Sequence, residues 1–259
     1  MSDGDGLARQ TGEAQVLDTS NVLRRHLGDR RFALTLPRAV ALQVLHPAIA
    51  AALRDHAPNR LWEHKRRTVG GMINIAYSDR DLRSVIRFGH EHVKGADALG
   101  RRYHALHPEL FFFQHATYVD TLITSIDTFS GGLTPARREQ LYAECHAWYG
   151  RYGISDRHAP ATWTEFTRYF ADACAALPPP GADTLALRDQ VLRPDAWTPR
   201  RLPGFAVRAL LHERARELLD APLRPGDAAA FAVYARAVRI GSALRPPRLR
   251  YARQARNPL

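Results

Sequence analysis

Cysteine is almost missing from this chain of 259 residues, which has only Cys145 and Cys174. Two cysteines with no C-x-x-C pair exclude a disulfide framework, a thiolate zinc site and covalent cofactor attachment through C-x-x-C-H. Lysine is nearly as scarce: of the 37 basic residues only Lys65 and Lys94 are not arginine. No apolar run approaches the roughly 18 residues that span a bilayer, and the densest patch, 110–113, is far too short. The opening MSDGDGLARQTGEAQ lacks the layout of a signal peptide. Residues 1–19 read as a lead-in without order, and a cytoplasmic protein is the expectation. No convincing alternating strand, G-x-G-x-x-G, P-loop, internal repeat or serine nucleophile elbow is present. No glutamate is followed three residues later by histidine, which removes the di-iron carboxylate bundle. A two-histidine-one-carboxylate iron site has no strands to sit on.

What remains is helical punctuation. An amphipathic helix and turn over 22–34 precede a second helix opened by Pro37. The segment LQVLHPAIAAALRDH, 42–56, should break at His46-Pro47, because proline lacks the N–H and biases the residue before it away from helix. The alanine-rich piece that follows allows close approach by another helix or by a flat ligand. A basic helix over 60–74 should lose regularity at Gly70-Gly71. The next is expected to be capped by Ser78 or Asp79 and to run through Gly95 toward Leu106, with Gly100 inside it. His107-Pro108-Glu109 opens a helix closed by Gly131-Gly132, and Thr134-Pro135 opens another to residue 150. Thr162 and Glu165 form a capping box for a helix ending near Leu177. After the linker 178–181 come two helices, about 203–219 and 226–244, and an arginine-rich tail. The chain is therefore expected to be all-α, with a catalytic core over 20–177 and a helical C-terminal extension over 178–259, in the same domain or packed on the core.

One histidine is well placed for chemistry. In DLRSVIRFGHEHVKG, 81–95, residues Leu82, Val85, Ile86, Gly89, His90 and Val93 fall on one helical stripe. His90 lies on it, and His92 points to water with Arg87 and Glu91. Two readings are open: a core histidine bonded to a backbone carbonyl, or an axial iron ligand with a glycine nearby. His90 and His92 cannot chelate one metal from a regular helix. Other isolated histidines, His46 and His115, share apolar faces, with Arg66, Arg67 and Thr68 nearby in sequence. One axial histidine with arginines for propionates is the pattern of a noncovalent haem.

Four segments in order, LQVLHPAIAAALRDH, Arg67-Thr68, His90-x-x-Val93-Lys94-Gly95 and His115-Ala-Thr-x-Val119-Asp120, resemble the MpaB-type oxygenase family, which includes rubber oxygenase, over about residues 22–175. The resemblance implies a globin-like helical core, noncovalent haem b and attack on substrate that depends on O₂. Position by position, it implies His90 as proximal ligand. Lys94 stands where a basic residue is usual and would meet a propionate or support the fold. Arg67 and Thr68 match a distal pair that steers or polarises O₂, and His115 would form a hydrogen bond near the haem. His64 stands where the family usually has an arginine, and Arg60 or Arg66 would have to take over that anion contact. Ala76-Tyr77-Ser78-Asp79 and Phe113-Gln114 also depart from the family pattern, so rubber is not carried over as substrate.

The leading expectation is thus a cytoplasmic haem oxidoreductase that uses O₂ or peroxide on a small hydrophobic or biosynthetic substrate, compatible with a homodimer. The net charge of +11 is then solvated surface, and nucleic acid is not the expected partner. Two alternatives stand beside it. One is a haem sensor or carrier without turnover, its second axial position filled by a side chain such as His46 or His64. The other is a cofactor-free helical protein that binds an acidic partner through its basic surface.

Overall fold

The computed structural model describes residues 21–57 and 60–256, so the expected lead-in over 1–19 lies outside the described residues. These residues form fourteen α-helices, one 3₁₀ turn and a single two-stranded hairpin, an all-α fold. Helix α1, Val22–Leu27, is capped by the Asn21 side chain, which accepts from the Arg24 N–H at 2.7 Å. Helix α2, Arg30–Leu45, begins at the Asp29 cap. Pro37, expected to open a helix, instead lies inside α2. Proline in an isolated helix interior costs about 3 kcal/mol. Here the burial of nearly every residue from Phe32 to Leu45 offsets that cost. The break at His46-Pro47 is as expected: α3, Pro47–His56, departs from α2 at 102°.

Helix α4, Leu61–Tyr77, runs through Gly70-Gly71 without interruption, against expectation. Gly70 is buried under the C-terminal segment, where a Cβ would come within 2.9 Å of the Gln254 amide. The largest correction follows. Helix α5 spans only Arg83–His90, and its first turn uses Asp81, which accepts from the Arg83 N–H at 3.0 Å, rather than Ser78 or Asp79. Past His90 the chain enters the hairpin β1, Lys94–Ala96, and β2, Arg102–His104, with Gly95 opposite Tyr103. Turn chemistry overrides the helical period. The Asp97 carboxylate accepts from the Leu99 and Arg101 N–H groups at 2.9 and 3.0 Å, and Gly100 takes φ +75.

Helices α6, Pro108–Phe129, α7, Pro135–Gly150, and α8, Trp163–Ala175, match expectation, and both halves of the Thr162–Glu165 capping box form. Helix α9, Ala182–Leu192, was not foreseen. The helix expected over 203–219 is two, α10, Gly204–Leu210, and α11, Glu213–Leu218, parted at Leu211-His212. Helix α12, Asp227–Ala243, and two short turns, α13, Pro247–Arg250, and α14, Arg253–Arg256, complete the described chain.

The core is built on α2 and α6, which pack along their length. Arg38 of α2 holds Asp120 of α6 through two hydrogen bonds, 2.5 and 3.2 Å, at a partly buried edge of that contact. Helices beyond residue 178 share this core. Leu187 and Val191 of α9 are buried in it, the Thr184 hydroxyl donates to the Val44 carbonyl at 2.7 Å, and Trp62 Nε1 donates to the Gln190 carbonyl at 2.6 Å. The C-terminal turns return to the N-terminal helices, where the Ala252 N–H donates to the Gly28 carbonyl. Among the described residues no single helix is long and apolar enough to cross a membrane.

Candidate functional site

His90 is the last residue of α5, a helix with no fully buried residue. Leu82, Ile86 and His90, one turn apart, form its half-buried face, while Val85 and Phe88 are 60% and 85% exposed. The stripe is thus narrower than the sequence suggests, and His90 lies on its buried edge. Its Nδ1 lies 2.8 Å from the Ile86 carbonyl. A carbonyl only accepts, so in the neutral ring the proton sits on Nδ1 and Nε2 keeps its lone pair. The ring meets Phe111 of α6 edge-on at 5.7 Å. The carbonyl bond is the one expected of a satisfied histidine, and the same bond fixes the tautomer that a metal ligand would need.

The other candidate residues divide into groups. His64 of α4 is half-buried and within electrostatic reach of His90. Loss of hydration, then the charges of Lys65 and Arg67, lowers its pKa to about 4. Arg67 is exposed next to it. Thr68 follows on the same helix, and its hydroxyl lies 3.2 Å from both the His64 and Lys65 carbonyls, which occupies its proton. Thr68 therefore offers lone pairs rather than a free donor. Lys94 lies on the hairpin, exposed, 3.5 Å from Glu91. Arg66 lies 2.9 Å from Glu63 and lines a different cleft, between α4 and the C-terminal segment.

His115 lies one aromatic layer deeper. It is buried among Phe112, Trp148, Tyr149 and Tyr152, and Phe111 touches both tyrosines as well as His90. Its Nε2 is 3.2 Å from the Cys145 carbonyl, its Nδ1 has no partner, and burial pushes its pKa down to about 3. His46, at the α2–α3 break, tilts against Phe113 at 5.3 Å, and burial and then Arg101 lower its pKa. It lines a cavity of about 580 Å³ walled by the hairpin, α6 and α8. His46 Nδ1 and His104 Nε2, from two residues of this wall, are buried without partners. His90 does not line this cavity, but α5 and the hairpin are continuous in the chain. The hairpin is tied to α3 where the Tyr103 hydroxyl donates to Asp55 at 3.0 Å.

One unusual residue escaped the sequence reading. Lys65 is 1% exposed, and its Nζ donates to Gln43 Oε1 at 2.6 Å, while the Gln43 amide donates to Thr117 Oγ1 at 2.7 Å. Burial alone lowers its pKa to about 7. The signal was available, since Leu61, Lys65, Val69 and Met72 share one helical face, but the run of basic residues around Lys65 concealed it.

The comparisons with known proteins bear on this assembly directly. No curated protein and no solved structure matches the chain. The family model described as ER-bound oxygenase mpaB/B'/Rubber oxygenase, catalytic domain, matches residues 24–240, from α1 into α12. That span takes in His90, the α4 residues beside it, the cavity and the helices beyond 178. The chain belongs to the MpaB and rubber oxygenase catalytic-domain family, a family of oxygenases.

Proposed function

We propose that the chain is a haem b-dependent oxygenase acting on a small hydrophobic organic substrate, with His90 as proximal iron ligand. The observation that carries this reading is the His90–Ile86 hydrogen bond, which orients the ring and leaves Nε2 available to a metal. Among the described residues no three or more His, Cys, Asp or Glu side chains gather as a metal site. A metal held at His90 must therefore bring its other ligands with it, as iron in a porphyrin does. The residues fit such a group in a second respect. Helix α5 has no fully buried residue, so a planar ligand seated against it would displace few buried contacts.

When bound, the haem supplies the activation of O₂ or peroxide. The protein holds the ligand and excludes water. Phe111 meets His90 edge-on, and His64, held neutral by burial, would accept a hydrogen bond on the α4 side. Arg67 adds positive charge there, toward a propionate or a developing anion. The cavity of about 580 Å³ lies within the roughly 300–1,000 Å³ range of small-molecule pockets. Leu110, Phe113, Tyr169 and Leu177 would cover an apolar substrate body, while His46 and His104 meet a polar group on it.

One observation favours a second reading. His64 is held neutral by burial and lies within electrostatic reach of His90, so it would be a candidate second iron ligand, and the protein would then be a carrier. Absorption spectra of protein made with haem precursor test both. Wild type is expected to show a Soret band that His90→Ala loses or strongly shifts and His46→Ala retains. Binding of CO to the reduced protein supports the oxygenase, and exclusion of CO until His64→Ala is made supports the carrier. Colourless wild type that takes up no added haem overturns both.

A further inference from the structure

Away from His90, a cleft of about 530 Å³ lies between α1, the start of α2, α4, the 3₁₀ turn Pro199–Arg201 and α14. Arg30, Arg66, Arg200, Arg201 and Arg253 all line it. Its one carboxylate, Asp29, is already taken by Arg31 at 2.6 Å and Arg250 at 3.5 Å. Among the described residues the guanidinium groups of Arg200, Arg201 and Arg253 form no hydrogen bond or ion pair. Like charges gathered without counter-ions around a concave surface repel one another and focus a positive potential into it.

A second, independent feature lies on the same wall. Trp197 has φ 59, a left-handed backbone that a bulky residue rarely adopts. Such conformations persist where surrounding structure enforces them, and they cluster at ligand clamps. Here the strain places a half-buried indole beside the arginines, next to Thr198 and Gln254.

We infer that this cleft binds a phosphorylated organic molecule, its phosphate or diphosphate group held by Arg200, Arg201 and Arg253 and its apolar or ring portion against Trp197. Planar guanidinium forks match phosphate oxygens in pairs, and the number of unpaired cations exceeds what a single carboxylate would satisfy. A nucleic-acid strand fits less well. Single strands are tracked by successive aromatic platforms, whereas this cleft offers one accessible aromatic and has the volume of a small-molecule pocket. The inference does not involve His90 and does not depend on haem.

Isothermal titration with inorganic pyrophosphate at fixed salt tests it, together with competition by a single-stranded oligonucleotide. The expected result is binding of one pyrophosphate per chain. The double variant Arg200→Glu/Arg201→Glu should weaken it by about tenfold or more. Arg236→Glu/Arg239→Glu, the same charge change on the exposed surface of α12 outside the cleft, should bind as wild type. No binding at millimolar pyrophosphate overturns the inference. Equal weakening by both double variants, or oligonucleotide binding that pyrophosphate does not displace, overturns it too.

Discussion

Replacing Lys65 with methionine should stabilise the protein near neutral pH and destabilise it in alkali. Lys65 is fully enclosed, with Gln43 Oε1 as its hydrogen-bond partner, and burial moves its pKa from 10.5 to about 7. Below pH 7 the ammonium is protonated in both states, and the folded state bears the whole cost of burying it. Above pH 10.5 neither state is protonated and the cost disappears. Between the two, the folded protein releases its proton first, so stability rises with pH across 7 to 10.5. That difference in pKa corresponds to roughly 5 kcal/mol in acid and roughly 4 kcal/mol at pH 7. Methionine removes the charge in a flexible side chain of similar length but strands the Gln43 carbonyl, at about 1–3 kcal/mol. The net expectation is a gain of about 2 kcal/mol at pH 7, turning into a loss near pH 10. Urea denaturation of both proteins from pH 6 to 10 should give curves that cross. Parallel pH profiles, or a variant less stable than wild type at pH 6, would refute the reasoning.

Two further substitutions test local features. Gly95→Ala would place a Cβ 2.8 Å from the Tyr103 hydroxyl and displace the ring that anchors the hairpin to Asp55, costing about 1–3 kcal/mol. Tyr103→Phe, which removes only the hydrogen bond, should cost about 1 kcal/mol. No thermal shift on Gly95→Ala would show that the glycine contact is unimportant. Thr162→Ala removes one half of the α8 capping box and should lower stability by about 1 kcal/mol in urea, with no further loss when Glu165→Ala is added if the two halves act as a unit. A full additive loss would show two independent caps.

Where local chemistry decides, the sequence was readable. The Thr134 and Thr162 caps, the His46-Pro47 break and the bounds of α6 need only a few neighbouring residues, and each is where those residues put it. Where tertiary packing competes with a local rule, reading failed. Pro37 lies inside α2 because the helix is buried nearly throughout, and Gly70-Gly71 do not interrupt α4 because the C-terminal segment packs over Gly70. The same limit applies to the candidate site. Position on a helix did not reveal that Arg66 lines the basic cleft while His64 lies within electrostatic reach of His90. The buried charge of Lys65 was hidden because neighbouring arginines make its segment look like solvated surface.

The end of α5 at His90 shows why the failed helical extension matters. Had the helix run to Leu106, the carbonyls and amides around His90 would be committed to the helix ladder, and Val93 would share its buried stripe. Instead the Asp97 and Gly100 turn draws the chain into the hairpin, and His90 becomes a helix-terminal residue with its ring tied to the Ile86 carbonyl. A residue at a helix end on a half-buried element gives up packing energy, since Leu82 and Ile86 remain partly exposed. Segments with few buried apolar contacts open at lower free energy than the global fold. The α2–α6 pair, by contrast, is buried and cross-linked by Arg38 and Asp120. The fold thus separates a buried centre from a half-buried α5, and on the reading proposed above a planar cofactor would reach His90 at α5 while α2 and α6 keep the frame fixed.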